Sequence, residues 1–314
     1  MARRSVVLVL DEAYAMPAAV AIRSLLDRSP PGAPPAAFFL LDAGVSATSR
    51  SRLEAITREA ITWVPLQGGA RIASMLPPRL RGGAPLATWG KVFLPQLLEG
   101  VGCGDVVLYL DADVMVADDV EALYRAAPPH LGGGVGAGVG VGDGGGSEAA
   151  VLAAARDIGH PAGHARLAEL CAWDAAAGDA YFNAGVMLVS LRAMAAEGVQ
   201  RALSAALAAA AAPGAPPPLY ADQDVLNAAL RGRWATLPQR WNVQGAGSYG
   251  ERRVGVLFSA AEWDELKAAP GAVHFTGPAE VAPYAIKAVE HGQLLGTKPW
   301  AFVSTHPHAA EFFR

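Results

Sequence analysis

The sequence predicts an α/β fold in which helices flank a mostly parallel β-sheet. Short apolar runs that are typical of buried strands alternate along the chain with segments of helical periodicity, and this alternation favours parallel strand connections. The chain has 314 residues, of which 52% are hydrophobic and 17% are charged. This length and composition suit one sizeable hydrophobic core and exclude wholesale disorder.

The first part of the chain supplies most of the predicted strands. Apolar runs predict four of them, at residues 6–10, 37–41, 61–66 and 106–110. Helical periodicity predicts the segments between them to be helices, at residues 17–27, 50–60 and 88–98. Asp118 is expected to cap a short helix that ends at Ala126, because aspartate accepts hydrogen bonds from the free N–H groups of a first turn.

The second part of the chain is predicted to be richer in helix. Strands are expected at residues 184–191 and 272–275, and helices at 193–212, 222–230 and 260–269. The helix at 222–230 begins with acidic residues that are expected to cap it, and Ser259 with Glu262 forms a capping-box pattern for the last helix. Residues 132–146 alternate glycine with small apolar residues, which indicates either a glycine linker or a strand against which another element packs closely.

Charge and cysteine content narrow the functional classes. The net charge of −4 gives no general attraction to nucleic acid, so no nucleic-acid partner is expected. Cys103 and Cys171 are too few for a disulfide framework or a cysteine-based zinc site. Gly140, Gly142 and Gly145 match a dinucleotide-binding spacing, but that fingerprint should follow the first strand and open a helix, so we interpret the match as chance.

The N-terminal apolar run is interpreted as a strand and not as a targeting signal. It follows two arginines but ends after a few residues at Asp11 and Glu12, with no small-residue cleavage site after it. No stretch approaches the roughly 20 apolar residues that cross a bilayer, so no transmembrane segment is expected. We therefore expect a cytoplasmic protein, with peripheral attachment at the inner face of a membrane left open, as is the oligomeric state.

Asp111 and Asp113 are the first candidates for chemistry. They follow the apolar run at 106–110, and the ends of strands in open α/β sheets are where ligands bind. Two carboxylates two residues apart can converge on one hard cation, and a cation can neutralise a diphosphate leaving group. The alternative is a turn whose aspartates cap the following segment. Apolar residues on both sides favour a loop that is pinned between buried segments.

Three further polar positions follow or open predicted elements. His274 ends the strand at 272–275, and its imidazole would suit manganese beside carboxylates, although a surface histidine is the plainer interpretation. Asn183 precedes a buried strand and has donors and acceptors for sugar hydroxyls, although a simple turn also fits. Asp222 and Gln223 open a helix, where they either cap it or face a bound hexose.

Several motifs occur in one order along the whole chain. They are Asp11 with Tyr14 after the first strand, T-W-G-K at 88–91, L-Y-L-D-A-D at 108–113, F-N-A-G-V at 182–186, A-D-Q-D-V-L-N at 221–227, W-N at 241–242, H-F-T-G at 274–277 and K-P-W at 298–300. The set resembles glycosyltransferase family 8, a family of retaining enzymes. D-x-D alone is weakly specific, whereas its combination with the later motifs is highly specific.

The resemblance implies the GT-A fold, which has a Rossmann-like, mixed but mostly parallel sheet and here a helical C-terminal part. It implies transfer of a hexose, glucose or galactose, from a UDP-sugar to an acceptor hydroxyl with Mn²⁺, and with Mg²⁺ as the alternative ion. A glycan, a lipid-linked sugar, a small molecule and a protein all remain open as acceptors. Because no domain boundary is evident, we expect one domain over residues 1–314, with 1–258 as the nucleotide-sugar core and 259–314 closing the donor site.

Residue roles follow from the same resemblance. The implied metal ligands are Asp111, Asp113 and His274. The other implied donor-binding residues are Asp11 and Tyr14 for uracil, Lys91 as the basic residue near the donor, Ala112 through its backbone for ribose, Asn183, Gly185, Asp222 and Gln223 for the sugar, Asp143 as an acidic sugar contact, Lys298 near the diphosphate, and Ala184 and Gly277 without a more specific role. Asp222 and Gln223 are also the implied catalytic residues.

The chain departs from the family pattern at two places. Residues 278–297 separate the H-F-T-G motif from Lys298, whereas the family usually has K-P-W a few residues after this motif. Lys91 stands where arginine is more usual, and lysine supplies a positive charge without the bidentate fork of arginine. A non-catalytic sugar-nucleotide-binding protein and a metal-dependent nucleotidyltransferase are the alternative functions.

Overall fold

A seven-stranded mixed sheet forms the centre of the fold. The structure, a computed structural model, describes residues 4–57, 61–128, 131, 150–158, 180–215, 218, 220–244 and 257–276. Its strands in chain order are β1 (Arg4–Leu10), β2 (Ala36–Asp42), β3 (Ile61–Pro65), β4 (Val106–Leu110), β5 (Val114–Val116), β6 (Leu152–Arg156), β7 (Phe182–Ser190), β8 (Trp234–Thr236), β9 (Val243–Gln244) and β10 (Ala272–His274).

The order of the large sheet is β3-β2-β1-β4-β7-β6-β8. Strand β7 is antiparallel to both of its neighbours, β4 and β6, and the other neighbouring pairs are parallel. The predicted mostly parallel α/β sheet is therefore confirmed. The antiparallel strand β7 was not predicted, because an apolar run carries no information on the direction in which its neighbours run.

Helices cover the sheet and connect its strands. The α-helices of the described residues are Ala15–Arg28, Ala47–Ile56, Ala70–Met75, Leu94–Leu97, Val120–Ala126, Leu191–Ala195, Glu197–Ala210, Asp222–Ala229 and Ala260–Ala268. The 3₁₀ segments are Glu12–Tyr14, Pro78–Leu80, Leu86–Phe93 and Gln239–Asn242. Within this part of the chain, no helix combines the length and the apolar character that crossing a membrane requires.

Four helix predictions need correction. The segment 88–98 is mostly 3₁₀, and an α-helix begins only at Leu94, beside a proline in its first turn. The predicted helix 193–212 is two helices, since Ala196 between them is extended. The cap of Val120–Ala126 is Asp119 and not Asp118, because the Asp119 side chain accepts from the Glu121 N–H.

The acidic cap predicted for the helix Asp222–Ala229 is also wrong. Its N-cap is Ala221, which has a φ of 47° and makes no side-chain cap. The capping box of Ser259 and Glu262 is confirmed, with both of its hydrogen bonds present. The division into a core of 1–258 and a closing segment of 259–314 stays a prediction.

Apolar side chains bury both faces of the large sheet. In β1, Val7 and Val9 belong to one core cluster, whereas Val6, Leu8 and Leu10 belong to the cluster on the other face. A strand that is covered on both faces has an almost continuous apolar sequence instead of an alternating one. This is why the strands of this sheet were predictable from short apolar runs.

A small second sheet brings His274 close to the acidic turn at residues 111–113. Its order is β5-β10-β9, and β10 is antiparallel to β5. The chain leaves the large sheet at Leu110, turns through Asp111 and Asp113, and enters the small sheet at Val114. His274 pairs with Val114 in this sheet, so strand register places the histidine beside the acidic turn.

Candidate functional site

The acidic turn at 111–113 is held at both of its ends by backbone hydrogen bonds. The Asp111 N–H donates to the Gly185 carbonyl at 2.8 Å, and the Phe275 N–H donates to the Asp113 carbonyl at 3.0 Å. The turn is thus attached to β7 on one side and to the residue after β10 on the other. This attachment holds the backbone of the turn in place on both sides.

Asp111, Asp113 and His274 converge on one point. Each offers a ligand atom, and these atoms all lie within 4.8 Å of one another. His274 Nε2 is 3.4 Å from Asp113 Oδ1 and 3.7 Å from Asp111 Oδ2. Two carboxylate oxygens and one imidazole nitrogen are a donor set that fits a divalent cation such as Mn²⁺. The predicted convergence of these three residues is therefore present in the fold.

Gly185 allows the His274 ring to lie against β7. A Cβ atom on Gly185 would lie 2.2 Å from His274 Cε1 and 2.6 Å from Nδ1, which is far inside van der Waals contact. The imidazole also contacts polar side chains, since His274 Nδ1 lies 3.2 Å from the Oδ1 atoms of both Asn183 and Asn242. Glycine at this position is thus required by space and not by backbone conformation.

Lys91 is a buried cation between two aspartates. Its Nζ lies 2.8 Å from Asp111 Oδ1 and 3.2 Å from Asp222 Oδ2, and Lys91 as a whole is only 5% exposed. Burial alone lowers the pKa of Lys91, but the carboxylates of Asp111 and Asp222 outweigh burial, and the net pKa lies well above the usual lysine value. The ammonium therefore stays charged at any physiological pH.

The pKa values of Asp222 and Tyr109, which lie near Lys91, are raised by the same surroundings. Burial raises the pKa of Asp222 to about 6, the nearby Lys91 opposes this rise, and Asp111 adds to it. Burial, followed by the charge of Asp111, raises the pKa of Tyr109 well above its usual value. The neutral Tyr109 hydroxyl donates to Asp111 Oδ1 at 2.8 Å, which fixes that carboxylate from the side opposite to His274.

Replacing Lys91 by methionine is expected to destabilise the metal-free protein by about 3–5 kcal/mol, because it leaves the buried carboxylate of Asp222 and the partly buried carboxylate of Asp111 without their cation. Urea unfolding without divalent ions measures this loss, and added Mn²⁺ should recover part of it by neutralising Asp111. Lys91→Arg keeps the charge and should lose less. A K91M variant as stable as the wild type would show that the ion pairs are of no consequence to folding.

Two of the predicted sugar-binding residues, Asn183 and Gln223, belong to one hydrogen-bonded group. Gln223 Oε1 accepts from the Ala184 N–H at 3.0 Å, and Asn183 Oδ1 accepts from the Gly185 N–H at 2.9 Å. The F-N-A-G-V and D-Q-D motifs, which lie far apart in sequence, therefore share one site. Each amide side chain is oriented by a backbone N–H group.

Asp157 was not among the residues predicted from sequence. Its Oδ2 accepts from Asn183 Nδ2 at 2.7 Å and from Gln223 Nε2 at 3.0 Å, so it joins the two amides. The residue directly follows β6, a strand whose sequence L-A-A-A-R is too rich in alanine to have been recognised as a strand. A polar residue after an alanine-rich apolar run was the signal that could have found it.

A cleft of about 250 Å³ lies beside the acidic turn. Its lining includes Asp11 and Tyr14 after β1, together with Lys91, Asp111, Ala112 and Asp113. The predicted uracil and ribose residues therefore share one cavity with Asp111 and Asp113, whereas the third predicted metal ligand, His274, does not line it. The predicted site residues Asp143, Gly277 and Lys298 lie outside the described residues.

A carboxylate–imidazole cluster at the edge of such a cleft, on a mixed α/β sheet, is typical of GT-A glycosyltransferases, which bind a nucleotide-sugar. The model of glycosyl transferase family 8 matches residues 5–279, and the chain belongs to that family. It is thus a glycosyltransferase, an enzyme class that moves a sugar from a nucleotide-sugar donor to an acceptor. No curated protein matches the chain in sequence.

Solved structures show the same fold at low sequence identity. The galactosyltransferase LgtC, solved with donor and acceptor sugar analogues, is 22% identical with a TM-score of 0.66, and the match covers 98% of this chain and 94% of LgtC. The bifunctional glycosyltransferase WbbM is 19% identical with a TM-score of 0.63, over 99% of this chain and 51% of WbbM. Mouse xyloside xylosyltransferase 1 is 15% identical with a TM-score of 0.55, over 87% of this chain and 98% of that enzyme. The predicted GT-A fold is thereby confirmed.

Proposed function

We propose that the protein is a retaining hexosyltransferase that transfers glucose or galactose from a UDP-sugar to an acceptor hydroxyl and uses Mn²⁺. The observation that carries the proposal is the convergence of Asp111, Asp113 and His274 at the edge of a cleft that Asp11 and Tyr14 also line. This convergence supports a cation site beside a cavity that has groups suited to a nucleoside. Family membership supports the transfer of a sugar.

The donor set favours Mn²⁺ over Mg²⁺. Asp111, Asp113 and His274 would hold the ion, and Mg²⁺ prefers an all-oxygen octahedral shell whereas Mn²⁺ also accepts imidazole. The ion supplies positive charge that stabilises the diphosphate as it leaves. Tyr109 and Lys91 hold the Asp111 carboxylate in place from the other side.

The chain's own residues would bind and orient the rest of the donor. In the proposed pose, Asp11 and Tyr14 contact the uracil, and the backbone at Ala112 contacts the ribose. The amides of Asn183 and Gln223 face the hexose hydroxyls. Both amides are held by backbone N–H groups and by Asp157, so the site is oriented before the sugar arrives. Such preorganisation lowers the cost of ordering the donor.

We propose a front-face reaction. The bond from the anomeric carbon to the diphosphate breaks with oxocarbenium character, the acceptor oxygen forms its bond on the same face, and the acceptor proton passes to the departing diphosphate. A two-step route would need a carboxylate nucleophile, as in retaining glycosidases, and Asp222 is the candidate. Asp222 is 3% exposed and is paired with Lys91, so its charge is already engaged.

Measuring UDP release by the purified protein tests the proposal. UDP-glucose and UDP-galactose are each incubated with Mn²⁺ or with a chelator, first without acceptors and then with a panel of sugar acceptors. We expect UDP release with one hexose donor, dependent on Mn²⁺. Binding of UDP without release would indicate a non-catalytic binding protein, and release of pyrophosphate would indicate a nucleotidyltransferase. An inverted anomeric configuration in the product would overturn retention.

A further inference from the structure

Two buried asparagines lie behind the imidazole of His274. Asn183 is 5% exposed and Asn242 is 0% exposed. Asn242 ends a 3₁₀ segment, directly before β9 of the small sheet. The two side chains are hydrogen-bonded to each other, from Asn242 Nδ2 to Asn183 Oδ1 at 2.8 Å. This pair and the histidine form a chain whose donors and acceptors can be assigned one after another.

The donor and acceptor atoms of this chain can be assigned from the Gly185 N–H, because a backbone N–H can only donate. The Gly185 N–H is a donor, and it points at Asn183 Oδ1 at 2.9 Å. This atom of Asn183 must therefore be the carbonyl oxygen, since an NH₂ group there would oppose a second donor. The other end of the same amide agrees, because Nδ2 donates to the Asp157 carboxylate at 2.7 Å.

The fixed oxygen of Asn183 in turn fixes Asn242. The Asn242 atom that faces this oxygen at 2.8 Å must be the NH₂ group, because two carbonyl oxygens at that distance would repel. The other terminal atom of Asn242 is then its oxygen, and it faces His274 Nδ1 at 3.2 Å. His274 Nδ1 thus lies equally close to two amide oxygens, those of Asn183 and Asn242.

A ring nitrogen between two oxygens is stable only when it carries hydrogen. A lone pair on Nδ1 would repel both oxygens, whereas an N–H group donates to them as a shared hydrogen bond. The neutral imidazole has one hydrogen, so Nε2 keeps its lone pair. Nε2 is the nitrogen that faces Asp113 at 3.4 Å and Asp111 at 3.7 Å.

We propose that Asn242 is a positioning residue, which together with Asn183 holds His274 in the Nδ1–H tautomer and so directs the Nε2 lone pair at the metal site. This rests on the proposed function, since it assigns a use to the ligand His274. Second partners of metal-binding histidines fix the tautomer and the ring direction in this way, and losing one lowers metal affinity by about 10–100-fold. Asn242 acts through His274 and does not line the donor cleft.

Nitrogen NMR of the metal-free wild-type protein tests the tautomer directly. The protein is labelled with ¹⁵N in its seven histidines, and the His274 signals are assigned by their loss in His274→Gln. For the neutral imidazole of His274, we expect hydrogen on Nδ1. Histidine free in water favours the other tautomer, so hydrogen on Nε2 of His274 would overturn the proposal.

Asn242→Leu tests the positioning role. Leucine has the same branched arrangement of side-chain heavy atoms but lacks the amide, so we expect Mn²⁺ affinity to fall by about 10–100-fold and the Nδ1–H signature to weaken. Asn227→Leu is the matched control, because Asn227 is equally buried but bonds to Phe182 and Gln223 instead. This control should lose stability while Mn²⁺ affinity and the His274 tautomer stay unchanged.

The outcomes separate this proposal from the proposed function. An N242L variant with wild-type Mn²⁺ affinity and an unchanged tautomer would refute the role of Asn242. Absence of Mn²⁺ binding by the wild type would refute the metal assignment, and the tautomer measurement would still decide the arrangement of the asparagines. If N242L does not fold, the tautomer of His274 in the wild type still supports or overturns the proposal.

Discussion

Replacing Asp113 by asparagine is expected to lower kcat/KM for the proposed hexose transfer by at least ~10³-fold. The proposed Mn²⁺, whose positive charge would stabilise the leaving diphosphate, would lose one of its ligands. Asp113 lies 3.4 Å from His274 and is 7% exposed, so solvent does not replace it easily. Asp111→Asn should cause a similar loss of activity. It should also lower stability, since Asp111 is the nearer partner of Lys91.

Mn²⁺ binding and UDP release, measured on the same samples, check this expectation. Asp27→Asn is the matched control, because Asp27 is about half exposed and pairs with the exposed Arg23 on the surface of a helix. D27N should keep wild-type turnover and Mn²⁺ affinity. Near-normal turnover of the D113N variant would show that Asp113 is not a metal ligand.

The convergence of Asp111, Asp113 and His274 was predictable from sequence because these residues lie in recognisable motifs. Asp111 and Asp113 end the apolar strand β4, and the strand ends of an α/β sheet are where ligands bind. The partner His274 was inferred from family resemblance and not from spacing. Its place follows from the pairing of β10 with β5, and β5 has only three residues, which is too short to be recognised as a strand.

The part of the site around Asp157 was not predicted from sequence. Alanine is somewhat depleted in strands, so the run before Asp157 gave no strand signal. Asn242 was noted only as part of the W-N motif. Its contact with His274 requires β9 to pair with β10, and this pairing consists of two residue pairs. Long-range pairing of short strands depends on the tertiary fold and leaves little trace in local sequence.

The position of β10 beside β7 also explains why the candidate site depends on Gly185. Gly185 lies in β7 of the large sheet, and His274 lies in β10 of the small sheet. The two sheets approach each other at this point, and the Gly185 carbonyl also accepts from the Asp111 N–H at 2.8 Å. Any side chain at position 185 would therefore push on His274 and on Asn183.

Gly185→Ala is accordingly expected to lower kcat/KM by at least ~100-fold and to destabilise the fold by about 1–3 kcal/mol through overpacking. The added methyl group would lie 2.2 Å from His274 Cε1 and 3.0 Å from Asn183 Oδ1. Turnover, Mn²⁺ affinity and urea unfolding measure the three effects. Gly82→Ala is the control, because a Cβ there meets nothing within 4 Å, and it should change none of them.

The double variant of Gly185→Ala with His274→Ala identifies the cause of the destabilisation. If the methyl group acts by clashing with the imidazole, removing the ring should restore most of the lost stability while activity stays absent. Neighbouring residues that share a contact give such non-additive effects, of about 0.5–3 kcal/mol. Additive losses would instead show that the alanine strains β7 itself, and the histidine would then owe its position to Asn183 and Asn242 more than to Gly185.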